Sequence, residues 1–185
     1  MQMTNAELAI LTLIAEKSCH GYEIEQIIEE RGMREWTEIG FSSIYYLLKK
    51  LEEKGLIEGR MERQAGRGPA RKVYQITESG IEARRAGVLE ALSIPQRAYP
   101  LLQLGLASLP GVSHSEALAA LRGYKDNLTD RLEHVRSRWD ESRPLPYFVE
   151  AMFSHSITMI EAERRWTEEF INQLEERTKK NTHEE

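Results

Sequence analysis

The sequence predicts a mainly α-helical protein with one small β-hairpin, divided into two parts of different character. Three observations predict it. Apolar residues recur at three- and four-residue steps through most of the chain, the period of a buried helix face. One segment, residues 56–76, breaks that period with two short runs flanking a glycine-rich turn. Pro95 and Pro100 then interrupt the helical pattern between an N-terminal half with short elements and a C-terminal half with long ones.

Composition sets the outer bounds. The 185 residues are 41% hydrophobic and 30% charged, enough apolar material for a folded core. No apolar run approaches the roughly 18 residues of a membrane span, and the start lacks the basic and apolar blocks of a signal peptide. Cys19 is the only cysteine, so no intrachain disulfide forms. A cytoplasmic protein is the simplest expectation. The net charge is −5, yet residues 60–72 hold Arg60, Arg63, Arg67, Arg71 and Lys72 against Glu62 alone. A protein that binds nucleic acid can be acidic overall when its contact face is basic.

Each element has its own signal. Thr4 and Glu7 form a capping box, and the helix behind them runs to about Lys17. Its apolar positions, from Leu8 through Ile14, cover more than one stripe, so two faces should be buried. Gly21 opens a second helix with Ile24, Ile27 and Ile28 on one side, and Gly32 stops it. The third helix begins near Ser42. Ile44, Leu47, Leu48 and Leu51 give it a core stripe, and its other side presents Ser43, Tyr46, Lys49 and Lys50, with Tyr45 near the edge. Short hydroxyls, phenols and lysines on one exposed face suit a DNA groove, although a plain solvated face would also look this way. Gly55 ends that helix. Residues 56–63 and 71–76 read as two strands joined by the turn 64–69, a hairpin with arginine at its tip. Thr77 caps a fourth helix with Ile81, Val88, Leu89 and Leu92 on its apolar side.

Beyond Pro100 comes a short apolar segment to Leu109, then a capping box at Ser113 and Glu116. A long helix follows with Leu121, Tyr124, Leu128, Leu132, Val135 and Trp139 in register. Pro144 and Pro146 mark a turn, and a last helix carries Val149, Met152, Phe153, Met159, Ile160, Trp166, Phe170 and Leu174. The two should pair as an antiparallel hairpin, the stripe of Leu121, Leu128 and Val135 against that of Met152, Met159 and Trp166. From Glu175 the chain is polar and is expected to fray. The resulting division is a helix–helix–helix–hairpin–helix domain over 1–94, a long-helical domain over 95–180, and a polar tail over 181–185. In that first order of elements, a winged helix-turn-helix, the third helix enters the major groove and the hairpin touches the flanking backbone.

The ordered segments Gly21-Tyr22-Glu23-Ile24, Ser43-Ile44-Tyr45, Leu48-Lys49-Lys50-Leu51-Glu52, Gly55-Leu56-Ile57 and Tyr74-Gln75-Ile76-Thr77-Glu78-Ser79-Gly80 resemble the PadR family of transcriptional regulators over roughly residues 6–92. The second half resembles the helical C-terminal domain of the family's longer subgroup, related to virulence-gene activators. The resemblance implies a homodimer on a palindromic operator, usually a repressor released by a small-molecule effector. Carried over residue by residue, Tyr45 stands at the family's recognition-helix tyrosine, Lys49 and Lys50 at its basic pair, and Arg67 in the wing tip. Tyr46 departs from the proline of many members, as does Ser18-Cys19 from a common proline before His20.

The expected DNA contacts are therefore Ser42, Ser43, Tyr45, Tyr46, Lys49, Lys50, Arg67, Arg71 and Lys72. The expected dimer contacts are Leu8, Leu11, Met152, Phe153, Met159, Ile160, Trp166 and Phe170. Two rival classes stand against this reading. The five histidines show no metal-ligand spacing and no nucleophile–base set stands out, so neither enzyme, metal nor cofactor is expected. A protein-interaction adaptor is the alternative, but it would have no need of a basic hairpin beside two exposed lysines. Trp139, Tyr147, Phe148, Phe153 and Trp166 are read as packing residues, with an effector pocket as the second reading.

Overall fold

The computed structural model describes residues 3–37, 39–40, 43–62, 70–95 and 100–183, with the backbone alone at 35 and 178–183. It divides into two compact units, residues 1–97 and 98–185. The sequence expectation of a mostly helical chain with a small antiparallel sheet holds throughout.

In the first unit, α1 (Asn5–Glu16) is followed by β1 (Cys19–His20), α2 (Gly21–Glu30), a 3-10 turn (Met33–Glu35), α3 (Ser43–Glu53), β2 (Ile57–Glu62), β3 (Arg71–Ile76) and α4 (Glu78–Ser93). The first capping box forms as the sequence demands: Glu7 N donates to Thr4 Oγ1 and Thr4 N donates to the Glu7 carboxylate. Gly32 and Gly55, both at positive φ, end α2 and α3, a backbone region that costs residues with a Cβ. The hairpin pairs Ile57 with Ile76 at its base and Glu62 with Arg71 at its far described end. The sequence did not announce β1. It adds two residues to the outer edge of β3, Cys19 opposite Tyr74 and His20 opposite Val73, giving the order β1-β3-β2.

One core joins these elements. Ile10, Leu11 and Ile14 of α1 pack with Ile24 and Ile28 of α2, Ile44, Leu48 and Leu51 of α3, and Ile57 and Tyr74 of the sheet. The two buried faces expected of α1 are present, and they hold Ile10, Leu11, Leu13 and Ile14. Cys19 is a small buried core residue, its thiol pushed up to about 11 by burial and by the nearby Glu23 carboxylate. The apolar side of α4 has no such cover: Ile81, Leu89 and Leu92 are exposed.

The second unit contains α5 (Leu101–Ala107), a 3-10 turn (Leu109–Gly111), α6 (His114–Glu141) and α7 (Tyr147–His183). Helix α7 continues to His183, past the point where the charged composition suggests fraying. Helices α6 and α7 form the expected antiparallel hairpin, tied by Arg122 to Glu175 at 2.6 Å, Lys125 to Glu168 at 3.5 Å and Arg136 to Glu161 at 2.5 Å. The face of α7 that meets α6 differs from the expected one. Leu128 and Leu132 pack on Ile157 and Ile160, with Tyr124, Val135 and Trp139 at the rim. Ile171 and the fully buried Thr167 lie on the same side of α7. The stripe of Met152, Met159 and Trp166 is exposed instead. Both stripes have helical spacing, so periodicity alone could not choose between them. The β-branched isoleucines, stiff at χ1, fill the tight seam, and the longer methionines and Trp166 are left outside.

Candidate nucleic-acid interface

Helix α3 is amphipathic, and its geometry sorts the expected contact residues into three groups. Ile44, Leu47, Leu48 and Leu51 anchor one side in the core. On the opposite side Tyr45 and Tyr46 are 60% and 64% exposed, and Lys49 stands beside them with only a loose 3.7 Å pairing to Glu53. These three side chains form the outward face. Tyr45, placed at the edge by sequence, lies fully on it.

The second group is turned inward. Lys50 Nζ lies 3.1 Å from Glu7 Oε1, and Lys54 Nζ lies 2.5 Å from the same oxygen. Glu7 is completely buried. Burial alone would raise its pKa, but the Lys54 contact, the Thr4 backbone N–H and Lys50 outweigh it and bring the carboxyl down to about 2. On the other edge of α3, Lys72 Nζ pairs with Glu52 Oε2 at 2.7 Å and lies 5.3 Å from the Tyr74 ring centre. The Glu52 contact raises the Lys72 pKa. Lys50 and Lys72 thus brace α3 between α1 and the hairpin. Ser43 makes a local turn, its hydroxyl donating to Gly40 O at 2.6 Å.

Arg71 forms the third group. It is exposed on β3, and no ion pair holds it among the described residues. Ser42 and Arg67 lie outside the described residues.

Sequence reasoning missed part of the neighbourhood. Gly21, at the start of α2, lies directly under Tyr45: a Cβ there would sit 2.7 Å from the tyrosine Cε1. Tyr22, 57% exposed, shares that end of α2 and accepts a hydrogen bond from Gln26. His20 Nδ1 lies 3.2 Å from Lys72 O, linking the start of α2 to the hairpin. The signal was present in the His20-Gly21-Tyr22-Glu23 run, but with no predicted β1 nothing placed that run beside α3.

The expected dimer residues also divide. Leu11 is fully buried in the first core and Ile160 is buried between α6 and α7, so neither side chain reaches a surface and both leave the set. Leu8 is half-buried near Gly87 of α4. Met152, Met159 and Trp166 are exposed. Phe153 stacks on Trp139 at 6.2 Å between ring centres, and Phe170 on Trp166 at 5.3 Å.

Comparisons with known proteins agree with this fold. Residues 10–86 match the family model described as the transcriptional regulator PadR-like family. The PadR of Bacillus subtilis in complex with operator DNA has the same fold, with 20% identity, a TM-score of 0.75, and coverage of 92% of this chain and 99% of that one. The same protein in complex with p-coumaric acid gives 20% identity, a TM-score of 0.74, and coverage of 91% and 98%. The PadR-like transcriptional regulator BC1756 from Bacillus cereus gives 18%, 0.65, and coverage of 94% and 97%. No curated protein matches the chain.

Proposed function

We propose that this chain, whose residues 10–86 match the model of the transcriptional regulator PadR-like family, binds double-stranded operator DNA as a homodimeric repressor released by a small molecule. The observation that carries the reading is the shared outward face of Tyr45, Tyr46 and Lys49 on α3, with Arg71 on the adjoining hairpin. Helix α3 enters the major groove, where Tyr46 meets base edges and Lys49 meets phosphate. The hairpin follows the flanking backbone. This division explains why an acidic chain needs only a small basic surface: phosphate contacts supply affinity, and groove contacts supply sequence preference. The second unit supplies the dimer through the uncovered stripe of Phe148, Met152, Met159 and Trp166 on α7.

A gel-shift titration of promoter fragments at 50 and 200 mM salt tests the reading. With about 6–10 phosphate contacts per dimer, affinity should fall roughly 10³–10⁵-fold between the two. A flat response, or no retained fragment, leaves the protein-adaptor alternative as the better account. Effector release is tested by titrating small molecules into the retained complex, with p-coumaric acid as the first probe.

A further inference from the structure

We propose that the cleft beside Tyr45 seats one phosphodiester of the operator backbone, held by Tyr22, Tyr45 and Arg71. The proposal rests on the DNA-binding reading above. The cleft measures about 420 Å³ and opens between the start of α2, the exposed edge of α3 and strand β3. Tyr22, Tyr45 and Tyr74 form its aromatic walls, with His20, Gln26 and Arg71 among the polar groups around them.

Its chemistry matches a sugar–phosphate unit. A phosphodiester carries one negative charge with two exposed oxygens, attached to apolar deoxyribose carbons. The phenols of Tyr22 and Tyr45 are neutral donors for those oxygens, and the tyrosine rings offer apolar contact to the sugars. Arg71 supplies a cation that no ion pair holds among the described residues. Glu23 also borders the cleft, but its carboxylate accepts the His20 backbone N–H at 2.7 Å and is held toward the helix start. Lys72 adds positive potential at the edge, although Glu52 fixes its ammonium. The site is built rather than accidental. Gly21 lets the Tyr45 ring lie against α2, where a Cβ would come within 2.7 Å of it, and the short pairing of β1 with β3 brings Arg71 alongside. A broad opening on the same face as Tyr45 suits a continuous polymer strand better than a small free anion.

The test uses the full-length protein and a promoter fragment that it retains. Tyr22→Phe removes one phenol whose partner within the chain is the exposed Gln26, so the melting temperature should stay at the wild-type value. Binding to all sequences should weaken about tenfold or more, the effect of losing a hydrogen bond to a charged group. The operator consensus and the salt slope should not change, because the phenol is neutral. Arg71→Ala should weaken binding and flatten the salt slope by about 1 per protomer. Ethylation interference should show, in each half-site, one phosphate whose modification blocks the wild type but costs Tyr22→Phe much less. Inorganic phosphate at constant ionic strength should compete no better than chloride, since an isolated anion lacks the adjoining sugars. Wild-type affinity in Tyr22→Phe with an unchanged ethylation pattern overturns the proposal, as does a shifted consensus, which would make Tyr22 a base reader. Strong competition by inorganic phosphate would make the cleft a free-anion site instead. A wild type that retains no DNA fragment overturns both this proposal and the DNA-binding reading beneath it.

Discussion

Two lysines adjacent in sequence have different tasks. Lys49 and Lys50 look equivalent as a basic pair, but one helical step of about 100° separates them. That step turns Lys50 to the buried Glu7 and leaves Lys49 in solvent. Lys49→Ala should therefore flatten the salt dependence of DNA binding by about 1 per protomer. Lys50→Ala should leave the slope alone and lower stability, because it weakens the compensation of a buried carboxylate. Anisotropy titrations over a salt series, paired with urea melts, separate the two, and equal slope changes would return Lys50 to the DNA face. Glu7 itself is the more sensitive position. Glu7→Ala removes the α1 capping box and leaves Lys54 without its partner, a loss of about 3–5 kcal/mol on the scale of broken buried pairs. Its pH signature follows from the depressed pKa. The stabilisation is fully present above the ordinary carboxylate value of 4.5 and is lost as pH falls from there toward about 2. Acid titration of wild type and Glu7→Ala should show their stabilities converging across that window.

Two glycines show how elements are held at working distance, and their substitutions should fail in opposite ways. At Gly80 an added Cβ would lie 2.0 Å from the backbone oxygen of Leu56, where α4 leaves the sheet. Backbone cannot yield there, so Gly80→Ala should cost at least the 1–3 kcal/mol typical of overpacking. At Gly21 the obstacle is the Tyr45 ring, an exposed side chain that can swing away. Gly21→Ala should hold its melting temperature within a few degrees and lose DNA affinity, because α3 then presents Tyr45 differently. Thermal melts and gel shifts on both variants check this, and a Gly21→Ala protein with intact binding would show that the position of the Tyr45 ring is immaterial. Most elements were legible because each carries a local signal: the Thr4, Thr77 and Ser113 caps all formed as expected. Strand β1 was illegible because two residues give no period to detect. The partners of Lys50 and Lys72 were hidden for another reason. Glu7 lies 43 positions from Lys50, and Glu52 lies 20 from Lys72. No local rule joins such residues before the fold does.

At the scale of the whole molecule, the question is what covers the apolar surface that one chain leaves open. The α6–α7 seam is filled by Leu128, Leu132, Ile157 and Ile160, and it uses only one side of α7. Phe148, Met152, Met159 and Trp166 remain exposed along another side, and Leu101 and Leu104 of α5 are exposed too. In the first unit, Leu89 and Leu92 of α4 are also uncovered. Soluble monomers rarely expose large contiguous apolar patches, and a stripe repeating every seven residues on a long helix suits packing against a second copy. A palindromic operator needs the two α3 helices of a dimer one DNA turn apart, roughly 34–36 Å. The first unit has a complete core of its own, so a chain ending near Pro95 should fold. It should sediment as a monomer and bind a single half-site much as the full-length protomer does, while losing the gain from paired half-sites. In the full-length protein, Met159→Glu or Trp166→Glu should produce the same loss by placing charge in the apolar stripe, without touching the α6–α7 seam. Sedimentation of all these forms, followed by binding to single and paired half-sites, separates assembly from DNA contact. If Met159→Glu remains dimeric and grips the paired site at wild-type strength, the stripe on α7 is not the dimer surface. If the truncated chain does so, the second unit is not what assembles the protein, and the exposed face of α4 becomes the surface to examine.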